Sequence, residues 1–161
     1  GRSLPSGLML KISVKERGTT PRKFIKQHNA AKRVGFRSIA DYYHAKLTPK
    51  RFTKAHGLTA GYRPRQGENL TYGSKAYWTS YTGRKQRRGH LMPLVWSGET
   101  RRRSRIANIV VTGKESRVKY QLNVLNFHPD LRQEFLRMLP AEAVKLGKVF
   151  DKTYDVEFKK K

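Results

Sequence analysis

Only 11 carboxylate side chains stand against 36 lysines and arginines in this chain of 161 residues, a formal net charge of +25 at pH 7. A polypeptide so charged repels itself. A compact fold therefore calls for an anionic partner or acidic neighbouring subunits, and nucleic acid is the commonest such partner. The imbalance is uneven. From Asp130 to Lys161 six acids face eight bases, a net of +2, which leaves +23 on Gly1 to Pro129. The bases are loosely spaced near the start (Arg22, Lys23, Lys26, Lys32, Arg33) and dense at Arg84, Lys85, Arg87, Arg88 and at Arg101, Arg102, Arg103, Arg105. The two dense clusters bracket a mostly apolar stretch whose only formal charge is Glu99.

Hydrophobic residues at 37% and aromatics at 11% are too abundant for a wholly disordered basic chain, and the length suits one domain with a real core. Residues 1–8 read as an N-terminal extension, a linker or an expression remnant, and 9–161 as a single domain. No run of 18 apolar residues exists, so the sequence predicts no spanning helix and no membrane partner. The run Leu8 to Val14 is broken by Lys11 and reads as a short strand, not a signal peptide. Without cysteine there is no disulfide scaffold, no Cys nucleophile and no thiolate zinc site, which fits assembly in a reducing cytoplasm.

From Pro21 to about Lys46 the residues Phe24, His28, Ala31, Gly35, Ile39 and Tyr42 recur at steps of three or four, which predicts a long helix capped by Thr19-Thr20-Pro21 and ended by Thr48-Pro49. Gly35 costs about 1 kcal/mol in an exposed helix interior and marks a kink or a close contact. Residues 48–92 are rich in Gly, Arg, Lys and Tyr with neither period sustained. They read as an extended basic arm with one short helix around Ser74 to Tyr81, ordering against another subunit or nucleic acid. Ser97 to Thr100 read as a turn followed by a short helix or a strand start. Ile106 to Thr112 and Arg117 to Leu125 form a predicted hairpin, with Val118, Tyr120, Leu122 and Val124 on its buried face. Two helices follow, Asp130 to Leu139 with Glu134 pointing away from the apolar side, and Ala141 to Phe150 with Val144, Leu146 and Val149 as apolar contacts, before the C-terminus frays into charge. The expected class is α+β: a small antiparallel sheet packed by a long N-terminal helix and C-terminal helices, with a long basic extended arm.

Little in the sequence points to catalysis. His28, His44, His56, His90 and His128 form no metal-ligand pair, and the carboxylates before the C-terminal helices are scattered singly, unlike a metal nuclease. His90 beside Gly89 has no identifiable partner as a general base and reads better as a surface or interface histidine. Trp96-Ser97-Gly98-Glu99 lacks the nucleophile-elbow pattern, and Thr59-Ala60-Gly61 and Gly83-Arg84-Lys85 lack phosphate-loop spacing. The expectation is a non-enzyme with no cofactor and no metal. The basic and aromatic arm keeps two readings. Its cations contact phosphates while Tyr and Trp stack on bases, or the same residues form a protein interface, where Tyr, Trp and Arg are enriched. Candidate DNA-facing residues are Arg84, Lys85, Arg87, Arg88, Arg101, Arg102, Arg103 and Arg105. Candidate subunit-interface residues are Tyr62, Tyr72, Tyr77, Trp78, Tyr81, Leu94 and Trp96. No base-reading motif is present, so any nucleic-acid contact is electrostatic.

The order Arg51-Phe52, Gly61-Tyr62-Arg63-Pro64-Arg65, Tyr77, Lys85 through Gly89-His90, then Pro93-Leu94-Val95-Trp96-Ser97-Gly98-Glu99-Thr100-Arg101 resembles the middle of tailed-bacteriophage neck and tail-completion proteins. In that family a basic, tyrosine-bearing segment leads to a Pro-Leu-(Val/Ile)-x-(Ser/Thr)-Gly-x-(Leu/Thr)-Arg turn, with a long helix before it and strands and helices after. The resemblance spans about Arg22 to Phe150. The Arg101-Arg102-Arg103 run and the strength of the charge depart from it. The resemblance implies a virion component that assembles in the host cytoplasm as a ring of identical subunits at the head-tail junction. Its implied partners are portal, head-closure or tail proteins, with non-specific contact to the genomic DNA that passes through. The competing expectation is a ribosomal or other RNA-binding structural protein, which shares the charge and the basic arm. The nearly neutral residues after Asp130 favour the first by offering protein-packing surface.

Overall fold

In the computed structural model the described residues are 8–13, 24–122, 125 and 128–160. The alternating stretches form a three-stranded antiparallel sheet in which β3 (Glu115–Tyr120) lies between β1 (Leu8–Ser13) and β2 (Asn108–Val111). Register follows the alternation. Val118 stands opposite Leu10 and Ile109, and Ser116 opposite Ile12 and Val111, so the apolar set shares one face while Arg117 and Lys119 take the other. Val118 and Tyr120 are fully buried as the sequence predicts. Thr112 closes the β2–β3 hairpin, its Oγ1 accepting from the backbone N–H of Lys114 and Glu115. Strand β3 ends at Tyr120, short of the predicted Leu125, because the chain turns there: Leu125 N–H donates back to the Leu122 carbonyl (3.0 Å). Asn123 and Val124, the Thr19-Thr20-Pro21 cap and residues 1–7 lie outside the described residues.

The apolar sheet face is covered by α1 (Ile25–Tyr42), which buries Ala31, Gly35, Phe36, Ile39 and Ala40. Thr48-Pro49 does not end the winding. One π-helical turn (Tyr43–Leu47) and one 3-10 turn (Thr48–Phe52) carry it on, because proline in the first turn of a new helical segment lacks only an N–H that would be unpaired anyway. The continuation delivers Tyr43, Leu47, Arg51 and Phe52 to the core.

Residues 48–92 are not an extended arm. They fold as α2 (Lys54–Ala60), α3 (Lys75–Thr79) and α4 (Tyr81–Arg87), each short and each begun by a hydroxyl cap: Thr53 accepts from His56 N–H, Ser74 from Tyr77 N–H and Ser80 from Gly83 N–H. Helices of five to seven residues complete too few turns to show a hydrophobic period, so the sequence pattern there reads as irregular. After α5 (Glu99–Arg103) and the hairpin, α6 (Pro129–Leu136) and α7 (Pro140–Phe158) close the fold. Pro140 starts α7, and that helix holds its winding to Phe158 instead of fraying after Phe150. Tyr154 stacks on both Phe150 and Phe158, an aromatic row that supports the last turns. Val144 faces solvent, whereas Leu146 is buried.

Helix α7 lies along α1. Gly35 makes that approach possible, since a Cβ there would sit 2.7 Å from the Phe150 ring. Of the two sequence readings for Gly35, a kink or a close contact, the second holds.

Carboxylates of the C-terminal helices hold the basic middle segment in place. Arg51 is fully buried. Its guanidinium meets both carboxylate oxygens of Glu142 (Nη2 to Oε2 2.8 Å) and donates to the carbonyls of Leu47, Phe135 and Arg137. Glu142 also accepts from Leu139 N–H (3.0 Å), so one carboxylate neutralises Arg51 and caps the start of α7, where a helix favours negative charge. Glu134 is 2% exposed, which corrects the expectation that it points away. It receives Arg65 on both oxygens and the Arg63 N–H at 2.8 Å, while Arg63 reaches Asp130 at 2.9 Å. A buried carboxylate persists only when paired, and Arg65 supplies the pair from 69 residues away.

Candidate nucleic-acid interface

The Ser80 cap sets the direction of α4, and Gly83 lets it fold tightly back on α3. A Cβ on Gly83 would lie 2.1 Å from the Tyr77 carbonyl oxygen, so no larger residue fits without moving backbone. Arg84, Arg87 and Arg88, spaced three and four apart, then project to solvent. Lys85 points the other way and is 4% exposed. It therefore does not share the open face on which the sequence placed it.

The loop from Gly89 to Gly98 folds over α4. Leu94 takes a left-handed conformation (φ 55°), uncommon for a branched residue, and is buried there. The His90 Nε2–H donates to the Trp96 carbonyl (3.2 Å), which fixes the loop from inside, so this histidine has an internal structural contact. Trp96 stacks on Tyr81, with ring centres 5.0 Å apart at 24°, and the Arg88 guanidinium lies 4.6 Å from the Trp96 ring centre. Arg87 covers Trp78 in the same way at 5.3 Å. Both cations are thereby held in place while their outer faces stay open.

Helix α5 carries the second cluster. Arg103 reaches back one turn to Glu99 (2.9 Å), whereas Arg101, Arg102 and Arg105 are exposed. The backbone beyond α5 is fixed to the core by His44, whose Nε2–H donates to the Arg105 carbonyl (3.1 Å) while Nδ1 meets the Tyr120 hydroxyl (3.0 Å). Among the described residues, Arg84, Arg87, Arg88, Arg101, Arg102 and Arg105 make no ion pair with a carboxylate. These six are open cations on or just beyond two short helices, and of them Arg87 and Arg88 are braced by aromatic rings. Such a surface suits phosphate contact without base reading.

The candidate interface tyrosines divide. Tyr72 is 66% exposed and stands edge-on to Tyr77 and Trp78. Tyr77 is buried with its hydroxyl on Gln86, Tyr62 donates to the Arg51 carbonyl (3.1 Å), and Leu94 joins the core. Trp78, Tyr81 and Trp96 are half-buried beneath the arginines. Arg51, Arg63 and Arg65, which carry part of the sequence resemblance, are internal ion-pair partners. Scarcity of acids was the available clue to them, but nothing local ties an arginine to a carboxylate dozens of residues away.

Among the described residues no group of three or more His, Asp or Glu side chains is gathered as metal ligands, and no helix is long and apolar enough to cross a membrane. His56 lies 3.8 Å from Glu142. Burial, reinforced by repulsion from Arg51, holds the His56 imidazole below its ordinary value of 6.5. Burial alone would raise the Glu142 carboxyl, but the hydrogen bonds from Arg51 and Leu139 outweigh it and hold the group below 4.5. Both shifts act in the same direction. The unfolded chain takes up these protons more readily than the folded one, so stability falls as pH drops below about 6.5 through His56, and again below about 4.5 through Glu142. Urea denaturation midpoints measured against pH should show both limbs, and His56→Gln should remove the upper one only.

Comparison of the chain with protein-family models, with curated proteins and with solved structures gives no match.

Proposed function

We propose that this protein is a non-enzymatic virion component of a tailed bacteriophage, forming a ring of identical subunits at the head-tail junction. The ring joins the portal or head-closure layer to the tail and lets DNA pass. The observation that carries the reading is the set of exposed arginines without an ion pair among the described residues, Arg84, Arg87 and Arg88 before and Arg101, Arg102 and Arg105 at the end of the Pro93 to Arg101 turn, the segment in which the sequence resemblance is densest. Six open cations on rigid short helices give a lumen surface that meets phosphate without gripping a sequence, which passage of a genome requires. Tyr72, together with Ile106 at 77% exposure, offers apolar area for subunit contact.

The alternative is a ribosomal or other RNA-binding structural protein. It is favoured by one specific observation: the Arg87 and Arg88 guanidiniums, held over the indoles of Trp78 and Trp96, also suit stacking on unpaired bases. The mass of the purified protein separates the two, since the ring reading requires a closed homo-oligomer and the RNA reading a monomer that associates with RNA.

A further inference from the structure

Lys85 is the buried cation that the fold leaves unpaired. Arg51, the other buried lysine or arginine among the described residues, meets Glu142. The Lys85 side chain makes no hydrogen bond or ion pair among the described residues; its ammonium faces the Tyr81 ring, 5.7 Å away, with the charges of Arg65 and Glu68 acting on it at longer range. An ammonium so placed is only partly solvated, which favours a counterion brought to it. Burial, with repulsion from Arg65 and only partial relief from Glu68, lowers its pKa to about 8.

Lys85 lines an open-sided cavity of about 370 Å³ bordered by α2, the segment after it, α4 and the loop at Leu91 and Pro93. Arg63 and Arg65 also border the cavity, but Asp130 and Glu134 already neutralise them. Lys54 and Lys85 against Glu68 leave the lining one positive charge in excess, and Lys85 is the buried one of these two cations. The other walls are Leu58, Leu91, Pro93 and the rings of Tyr62, Tyr77 and Tyr81. That combination, aromatic and aliphatic walls beside one unmatched positive charge, suits an anion that carries an apolar body. A phosphodiester chain needs cations in a row on an open surface, and those lie on the other side of α4.

We infer that this cavity is a binding site for a carboxylate borne on an aromatic or aliphatic group, with the Lys85 ammonium as its counterion. The site is separate from the exposed arginines, so it stands or falls independently of the proposed DNA contact.

The test is calorimetric titration of the full chain with N-acetylphenylalanine, its uncharged amide, phenyl phosphate and the blocked peptide acetyl-Leu-Glu-Leu-amide. A charge-assisted contact to a desolvated lysine should make the acid bind at least about tenfold tighter than the amide. Carboxylate binding should also raise the Lys85 pKa from about 8, read as proton uptake near that pH. Preference for the free acid over the peptide assigns the site to small acids or chain termini, and the reverse assigns it to acidic side chains of a partner polypeptide. Both outcomes support a carboxylate site. Lys85→Met, which keeps the volume, should abolish the preference for acid over amide. Equal binding of acid and amide by the unaltered protein, no binding by either, tighter binding of phenyl phosphate, or a preference that survives Lys85→Met would overturn the assignment.

Discussion

Replacing Arg51 with Met is expected to lower the unfolding free energy by about 3–5 kcal/mol, the range for removing one member of a fully buried ion pair. The size follows from what is left behind. Glu142 would stay buried without its cation, and the carbonyls of Leu47, Phe135 and Arg137 would be deprived of a donor. The double variant Arg51→Met/Glu142→Gln should recover part of the loss. Gln is neutral, so no unpaired charge remains, and its carbonyl oxygen can still accept from Leu139 N–H at the start of α7. Urea denaturation at neutral pH measures both. A loss below about 1 kcal/mol in the single variant would mean that Arg51 does not hold α7 to the core, because surface pairs are worth no more than that.

The second large effect concerns DNA. Changing Arg84, Arg87 and Arg88 together to Ala should weaken duplex binding and reduce the slope of log affinity against log salt by about 0.9 for each phosphate no longer neutralised. Changing Arg101, Arg102 and Arg105 should do the same, and combining all six should remove most of the salt dependence. Arg103→Ala serves as the internal comparison. Its guanidinium is already engaged by Glu99, so its effect should be smaller than that of any open neighbour. Filter binding across a salt series reads all of these. A slope unchanged in the six-site variant would reject the arginine clusters as the DNA-facing surface.

The parts of the fold legible in the sequence are those with a sustained local period. The alternation Val118, Tyr120 against Arg117, Lys119 marks β3 and its face, and the three-and-four spacing through Ala31, Gly35 and Ile39 marks α1. Apart from the short helix predicted around Ser74 to Tyr81, which is α3, the middle segment was illegible for a physical reason. Its helices are shorter than two turns, and their stability comes from Ser and Thr caps and from arginines that pair with distant acids. Glu134 shows the difficulty. Local patterning puts a charged residue on the solvent side of α6, but Arg65 and the Arg63 N–H draw it inside. Of the site, the arginines of both clusters were legible as charge. The inward turn of Lys85 was not, since it depends on how Gly83 seats α4 against α3.

The internal pairings also refine the meaning of the +25 charge. Asp130, Glu134 and Glu142 are engaged by Arg63, Arg65 and Arg51, which leaves Asp151 and Asp155 as the exposed carboxylates of α7 without an ion pair among the described residues. Copies of this chain repel one another at low salt. Ring closure should therefore be favoured by screening or by a polyanion in the lumen.

The proposed ring is tested most directly by the mass of the purified full-length protein in solution, measured by light scattering. The measurement is made at about 0.5 M salt, where the Debye length falls to a few ångströms, and repeated at low salt with a short DNA duplex. A ring-forming protein gives one discrete homo-oligomer of fixed stoichiometry in both conditions. A monomer that persists in both, and that gains mass only with RNA, would contradict it.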